Sequence, residues 1–331
     1  MQDGFDPERR ALIGAMGLTA AGAPALAQAQ GGLTNPPPDP TEEIRLWPGR
    51  APGAPIVLPA PRIVDRTATS GFRDRVAEGV AEPALKVFRP ARPNGAAMLI
   101  VPGGSYARVA MDKEGYETAR RMNAAGVTAF VLYYRLPKDG WDRRADVPLQ
   151  DGQRAMRLIR ANAGRYGVDP ARVAAIGFSA GGHLTASLST RHSAEVYAPV
   201  DAADRLPARP ALVGLAYPVI TMTPPFAHPG SAQNLLGETP SPEALAAYSP
   251  EKRVDARTPP TFLFHAVDDA TVPVENSIAY LAALRAAKVP AELHVFEEGG
   301  HGCGIHLAQG KPAAAWPDLF LAWAGRHGFP G

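Results

Sequence analysis

The chain of 331 residues contains a single cysteine, Cys303. No disulfide can form within it, and no cysteine–histidine spacing of a zinc site occurs. Neither sign of charge dominates: 34 lysines and arginines face 32 aspartates and glutamates, for a formal net charge of +2. With no long basic run, neither nucleic acid nor an anionic membrane surface is an implied partner. Beyond the N-terminal region no stretch is long and apolar enough to span a bilayer. What remains is a composition of 46% hydrophobic and 20% charged residues, ordinary for a globular protein and long enough to bury a sizeable core.

The N-terminus differs from the rest. Arg9-Arg10 precede an apolar stretch, residues 11–26, and Ala27-Gln28-Ala29 closes it with a small-residue cleavage pattern. A charged start, an apolar middle and such an exit predict a secretory signal over residues 1–29. The paired arginines fit a twin-arginine signal, with the general secretory route as the alternative. Gly14, Gly17, Gly22 and Pro24 interrupt the stretch and argue against an uncleaved anchor. The expected mature protein is periplasmic or secreted, with no membrane association after cleavage. Residues 30–40 are Gly/Pro-rich and read as an extended linker, leaving 41–331 as one domain.

Within that domain, strand-like and helix-like segments alternate. Apolar runs predict strands at 84–89, 97–101, 127–134, 173–178, 211–217, 260–266 and 291–296. Most are continuous rather than alternating, as befits strands covered on both faces. Residues 149–166 carry an apolar stripe at three- and four-residue spacing, with Arg154, Arg157, Arg160 and Arg165 on the other side, and predict an amphipathic helix. Residues 274–287 read the same way. The expected class is α/β, a mostly parallel central sheet with helices on both faces. Residues 221–257 are rich in proline and polar residues and read as an insertion over the active-site side, with one short helix at 242–248.

Chemistry enters at Gly177-Phe178-Ser179-Ala180-Gly181, a G-x-S-x-G turn between a strand and a small-residue helix. Such a turn strains the serine and projects its hydroxyl from the carboxyl edge of the sheet. A serine hydroxyl needs a histidine to take its proton and a carboxylate to hold that histidine. Asp268-Asp269 follow one predicted strand and Glu297-Glu298-Gly299-Gly300-His301 follow the last, giving the order Ser, Asp, His. Pro102-Gly103-Gly104-Ser105-Tyr106 follows another strand, where small residues let backbone N–H groups meet an oxyanion, with the Ala180 N–H as the second donor.

These segments resemble α/β-hydrolase esterases of the bacterial acetyl-xylan and feruloyl esterase type, related to the hormone-sensitive-lipase group. The likeness runs through Pro102–Tyr106, Lys113-Glu114-Gly115, residues 129–135, Pro148-Leu149-Gln150-Asp151, residues 177–183, Asn234-Leu235-Leu236-Gly237 and residues 299–302. Val101 and Ser105 depart from it, standing where relatives often carry histidine and a third glycine. The resemblance implies an α/β-hydrolase fold and an acyl-enzyme mechanism without metal or cofactor. It further implies a small ester or acylated polysaccharide as substrate, such as acetyl groups on xylan. The family places the acid three residues before Val-Pro, which selects Asp269. The implied site is Ser179, Asp269 and His301, with Gly104, Ser105 and Ala180 as the oxyanion hole. A serine peptidase of the prolyl-oligopeptidase type, or a non-catalytic binding protein on this fold, would present the same residues.

Several other residues invite a functional reading and favour a plainer one. His183, four residues after Ser179, reads as a partly buried packing residue, and His265 as a hydrogen-bonded core group. Cys303 reads as a buried filler, Trp141 and Trp316 as packing residues rather than sugar platforms. Asp112-Lys113-Glu114 reads as a solvated helix start, and Asp268 as an acceptor for nearby loop N–H groups. Met222, Pro224, Pro225 and Phe226 are expected to wall a shallow acyl pocket.

Overall fold

A computed structural model describes residues 37–329. The expected signal over residues 1–29, and the expected linker as far as Pro36, lie outside the described residues. The linker's remaining residues run along the body, where Asp39 pairs with Arg73 and Arg75.

Among the described residues the strands are β1 (Glu43–Arg45), β2 (Arg62–Asp65), β3 (Arg75–Glu78), β4 (Ala84–Phe88), β5 (Ala97–Val101), β6 (Val109–Ala110), β7 (Thr128–Tyr133), β8 (Val173–Phe178), β9 (Val213–Ala216), β10 (Thr261–Ala266) and β11 (Ala291–Phe296). Eight form a central sheet in the order β1-β4-β7-β5-β8-β9-β10-β11, and β2-β3-β6 form a small antiparallel sheet. The first two pairings of the large sheet are antiparallel and every later one is parallel. Every predicted strand is present, with ends shifted by two residues at most.

Side-chain alternation in β10 shows why it is buried throughout. Phe262 and Phe264 face the C-terminal helix Trp316–Arg326, with Phe262 5.6 Å from Phe320 and Phe264 stacked 5.0 Å from Trp316. Leu263 and His265, offset by one residue, face the helix Glu275–Ala286: Leu263 clusters with Tyr280 and Leu284, and His265 bonds Ser277. Period-two alternation between two helices leaves no position for solvent.

Two helical expectations need correction. The stretch 149–166 is broken at Asn162 into Val147–Ala161 and Ala163–Tyr166. Its arginine side is not a solvated face, because the segment 194–209 covers it. Arg154 is 1% exposed and bonds the Leu46 carbonyl and Asp201, while Arg157 bonds Tyr197 and Arg160 bonds the carbonyls of Pro207 and Arg209. Guanidinium groups with several donors can be buried where carbonyls and carboxylates surround them. In 221–257 a second helix, Pro229–Leu236, precedes Pro242–Ala247. Its helical pattern is hidden by Pro229 and Gly230, although proline is well tolerated in a first turn.

Candidate active site

The loops after β5, β8, β10 and β11 leave the sheet at one edge, because these strands are mutually parallel through β9. In open parallel sheets this carboxyl edge is where chemistry collects.

β8 stops at Phe178, and the helix Ser179–Arg191 begins at the next residue. The backbone therefore reverses within one position, and Ser179 is held at φ +53°, a left-handed conformation that costs about 1–3 kcal/mol in a non-glycine residue. The flanking glycines make the turn possible. A Cβ on Gly177 would lie 2.3 Å from the Gly181 carbonyl oxygen, and one on Gly181 would lie 2.2 Å from that of Val101. Only residues without a side chain permit such an approach.

Ser179 Oγ is 2.9 Å from His301 Nε2, and His301 Nδ1 is 2.8 Å from Asp269 Oδ2. Burial by itself would raise the Asp269 carboxyl. Hydrogen bonds from His265 and His301 overcome it and hold the group well below the usual carboxylate range. An ionised Asp269 accepts the Nδ1 proton of His301, which leaves the Nε2 lone pair facing the serine hydroxyl. The other Asp269 oxygen accepts the N–H groups of Thr271 and Val272, both at 2.9 Å. Asp268 points away and accepts from the N–H groups of Gly299 and Gly300 at 3.0 and 2.7 Å, as expected of a loop acceptor.

The loop after β5 is the most strained part of the site. Gly104, Ser105 and Tyr106 are consecutive residues with φ of +127°, +56° and +60°. Three contacts hold it: Asn234 Nδ2–H donates to the Ser105 carbonyl at 2.8 Å, Tyr106 O–H donates to His183 Nδ1 at 2.7 Å, and Glu114 accepts the Gly103 N–H at 2.8 Å. Among the described residues, no protein group accepts from the N–H of Gly104, Ser105 or Ala180. Those donors sit beside Ser179, the first two in the wall of its cavity and the third in the first turn of its helix. The Gly103 N–H is engaged by Glu114 and cannot serve.

His183 is buried, and its Nε2–H donates to the Tyr248 carbonyl at 2.7 Å. Burial pushes its pKa down to about 4, so it is a neutral bridge and no base. Its burial is complete rather than partial. Burial likewise pushes the Cys303 thiol up to about 12, which removes the thiolate a reactive cysteine needs. Trp141 and Trp316 are buried, and Trp316 Nε1–H donates to the Gly304 carbonyl, supporting the histidine loop from behind.

Two expectations are overturned. Asp112-Lys113-Glu114 is not a solvated start: it lies in a π-helical turn, Met111–Tyr116, with both carboxylates 3% exposed. Asp112 can be buried because Arg75 grips it through two nitrogens at 2.8 and 2.9 Å. Met222, Pro224, Pro225 and Phe226 do not wall the cavity. That space, about 220 Å³, is bounded instead by Arg66, Val76, Arg108, Lys113 and Glu114 around Ser179 and His301. The small sheet and the π-turn supply these walls, and neither was visible as an element in the sequence. The roles of Glu114 and Asn234 were also missed. Their only signal was membership of the segments that carry the family resemblance.

The BD-FAE family profile matches residues 85–284. Among curated relatives, endo-1,4-beta-xylanase B of Butyrivibrio fibrisolvens is 37% identical over 228 residues, covering 69% of this chain and 34% of the relative. The acetylxylan esterase of Xylanibacter ruminicola is 36% identical over 222 residues, covering 66% of this chain and 43% of the relative. The matched region thus spans less than half the length of either. Among solved structures, the acetyl ester-xyloside bifunctional hydrolase of Caldicellulosiruptor lactoaceticus aligns with a TM-score of 0.70 at 32% identity, over 88% of this chain and 98% of that one. MGS-M1, an alpha/beta hydrolase enzyme from a Medee basin deep-sea metagenome library, aligns with a TM-score of 0.54 at 26% identity, over 82% and 99%.

Proposed function

The chain belongs to the BD-FAE family and has the α/β-hydrolase fold, and on that footing we propose that it is a serine esterase. The observation that carries this reading is the chain of two hydrogen bonds through one imidazole, Ser179 Oγ to His301 Nε2 at 2.9 Å and His301 Nδ1 to Asp269 Oδ2 at 2.8 Å. Ser179 Oγ attacks the ester carbonyl carbon while its proton passes to His301 Nε2. Asp269 keeps the Nδ1 proton in place and balances the imidazolium. The carbonyl oxygen becomes an oxyanion held by the N–H groups of Gly104, Ser105 and Ala180; loss of one such donor typically costs ~10²–10³ in turnover. Collapse breaks the C–O bond, His301 protonates the departing alcohol, and the acyl group remains on Ser179. Water, deprotonated by His301, then attacks the acyl-enzyme and releases the acid.

The names of the relatives support acetyl esters on a plant polysaccharide such as xylan as the substrate class. Purified protein screened on acetylated xylan, feruloylated arabinoxylan, aryl acetates and peptide amides tests it. Release of acetate is expected, with no cleavage of amides. Ser179→Ala should abolish both hydrolysis and covalent labelling by a fluorophosphonate. Labelling of that variant at the wild-type rate would refute the mechanism.

We also propose that residues 1–29 direct export and are removed. Replacing Arg9 and Arg10 by lysine should leave precursor in the cytoplasm. Unchanged processing would assign the general secretory route instead.

A further inference from the structure

The cavity over Ser179 is charged in a way that ester hydrolysis alone does not require. Attack on a neutral ester develops one negative charge, and backbone N–H groups answer it. Yet the walls carry three cationic side chains, Arg66, Arg108 and Lys113. Arg66 is balanced by Asp74 at 2.7 Å, although its Nε is buried without an acceptor. Arg108 and Lys113 are not balanced. Among the described residues, neither side chain makes an ion pair or donates a hydrogen bond. Glu78, the exposed-side carboxylate that feels Arg108, is engaged by Arg62. Glu114 lines the same cavity, and its Oε1 lies 3.6 Å from the point over Gly302 that the Lys113 ammonium also approaches, but it forms no ion pair with Lys113: its two oxygens accept from the Gly103 N–H and the Tyr217 hydroxyl. Asp269 lies behind the His301 ring, on the side away from the serine.

The two unengaged cations are also placed. The Arg108 stem packs over Gly104, its Cγ 2.7 Å from where a Cβ would stand. The Lys113 ammonium rests on Gly302, 3.0 Å from the corresponding point. One cation flanks the oxyanion loop and the other flanks the histidine loop. A cavity of about 220 Å³ keeps any occupant within reach of both. Half-buried cations that lack a protein partner are stabilised by an anion from outside.

We propose that the preferred substrate carries a carboxylate next to the scissile ester, held between Arg108 and Lys113. This rests on the serine-esterase reading and specifies its substrate: an ester whose acyl part, or whose alcohol part, is itself an acid. The carboxylate binds before and during attack, so it orients the ester carbonyl toward Ser179.

Two matched pairs test it. In the acyl pair, 4-nitrophenyl hydrogen succinate is compared with its methyl ester. In the alcohol pair, 3-acetoxybenzoate is compared with 3-acetoxybenzamide. The wild type should favour the anionic member of one pair by about tenfold or more in kcat/KM, the favoured pair identifying which side bears the acid. The preference should shrink as salt is raised. The double substitution Arg108→Gln with Lys113→Gln should abolish it. The ratio is taken within each protein, so a general loss of rate cancels. Turnover of 4-nitrophenyl acetate reports separately on the esterase reading. If that ester is cleaved but both ratios stay near one, the anion site is refuted and the esterase survives. If no ester is cleaved, the esterase reading falls. Ligand-detected NMR titration with 3-hydroxybenzoate against 3-hydroxybenzamide then decides the anion site alone. Benzoate binding that is no tighter, or unmoved by the double substitution, overturns it.

Discussion

Glu114 and Tyr217 share a hydrogen bond of 3.1 Å beneath the candidate site, the Tyr217 hydroxyl donating to Glu114 Oε1. The same carboxylate accepts the Gly103 N–H at 2.8 Å, and the same hydroxyl accepts the Gly304 N–H at 3.1 Å. The pair thereby ties the oxyanion loop after β5 to the residue after β9 and to the loop bearing His301. Three segments that must agree in position are held by one carboxylate and one phenol.

Glu114→Gln should therefore lower kcat while leaving the protein folded. An amide keeps one acceptor oxygen, and its NH2 cannot pair with a backbone N–H, so either the oxyanion loop loses its anchor or the Tyr217 hydroxyl must turn from donor to acceptor. Displacement of about 1 Å in such a site can cost ~10² in rate, and we expect a fall of about tenfold to hundredfold in kcat with KM little changed. Fluorophosphonate labelling of Ser179 should slow in proportion. A rise in KM at constant kcat would instead place Glu114 in substrate binding.

The adjacent acids Asp268 and Asp269 should separate by their asparagine variants. Asp269→Asn presents an amide to His301 Nδ1 and favours the wrong tautomer, which can cost ~10⁴ in turnover. Asp268 only accepts from Gly299 and Gly300, and the carbonyl oxygen of an asparagine can still accept, so about tenfold or less is expected for Asp268→Asn. Steady-state kcat for the two variants decides the register. The opposite ranking would move the acid by one residue.

What the sequence made legible divides along physical lines. The strands were readable because parallel strands sandwiched between helices are buried at every position and therefore mostly apolar, as in β8 and β10. Ser179, Asp269 and His301 could be grouped as candidates because each follows a strand end, those of β8, β10 and the partly buried edge strand β11. β2, β3 and β6 were not, since a short antiparallel sheet with one exposed face leaves only brief and partly polar runs. Glu114 and Asp112 were misread because a charged triplet looks solvated until its partners, Gly103, Tyr217 and Arg75, arrive from distant segments. The arginines of Val147–Ala161 failed for the same reason. His265 was seen as a core group, but its Nε2 also lies 3.3 Å from Asp269 Oδ2, a contact that no local pattern encodes.

A further segment had a family likeness but no assigned role, and the structure supplies one. Arg135, just after β7, and Asp151, in Val147–Ala161, form an ion pair at 2.8 Å with neither side chain exposed. Asp151 also accepts from the Arg135 backbone N–H at 2.8 Å and from Trp47 Nε1–H at 2.9 Å. Removing one partner of a buried pair strands the other and typically costs about 3–5 kcal/mol. Asp151→Ala should lose stability on that scale in urea unfolding, whereas a loss under 1 kcal/mol would mean that water reaches Arg135.

His183 should make stability fall on acidification over a defined window. Its pKa in the folded protein is about 4, against 6.5 for an unperturbed histidine. Burial is the cause, since the ring is held between the Tyr106 hydroxyl and the Tyr248 carbonyl with no room to gain a proton. The sign follows from proton counting. Between those two values the unfolded chain binds a proton that the native protein refuses, so stability rises with pH and is lost as pH falls from about 6.5 towards about 4. One such group contributes at most about 1.4 kcal/mol per pH unit, and roughly 3 kcal/mol over the whole window. Asp269, whose pKa is depressed, acts below the ordinary carboxylate value of 3.8, while Glu117, His192 and His228, whose pKa values burial also shifts, are common to wild type and variant and cancel in the comparison. His183→Gln removes the titrating ring while an amide can still accept from Tyr106 and donate towards Tyr248. Urea unfolding of both proteins between about pH 7.5 and about pH 4.5, a range that brackets the uptake of about one proton on unfolding, should show the wild type's advantage shrinking as pH falls. An advantage constant across that range would show that His183 takes up its proton without unfolding.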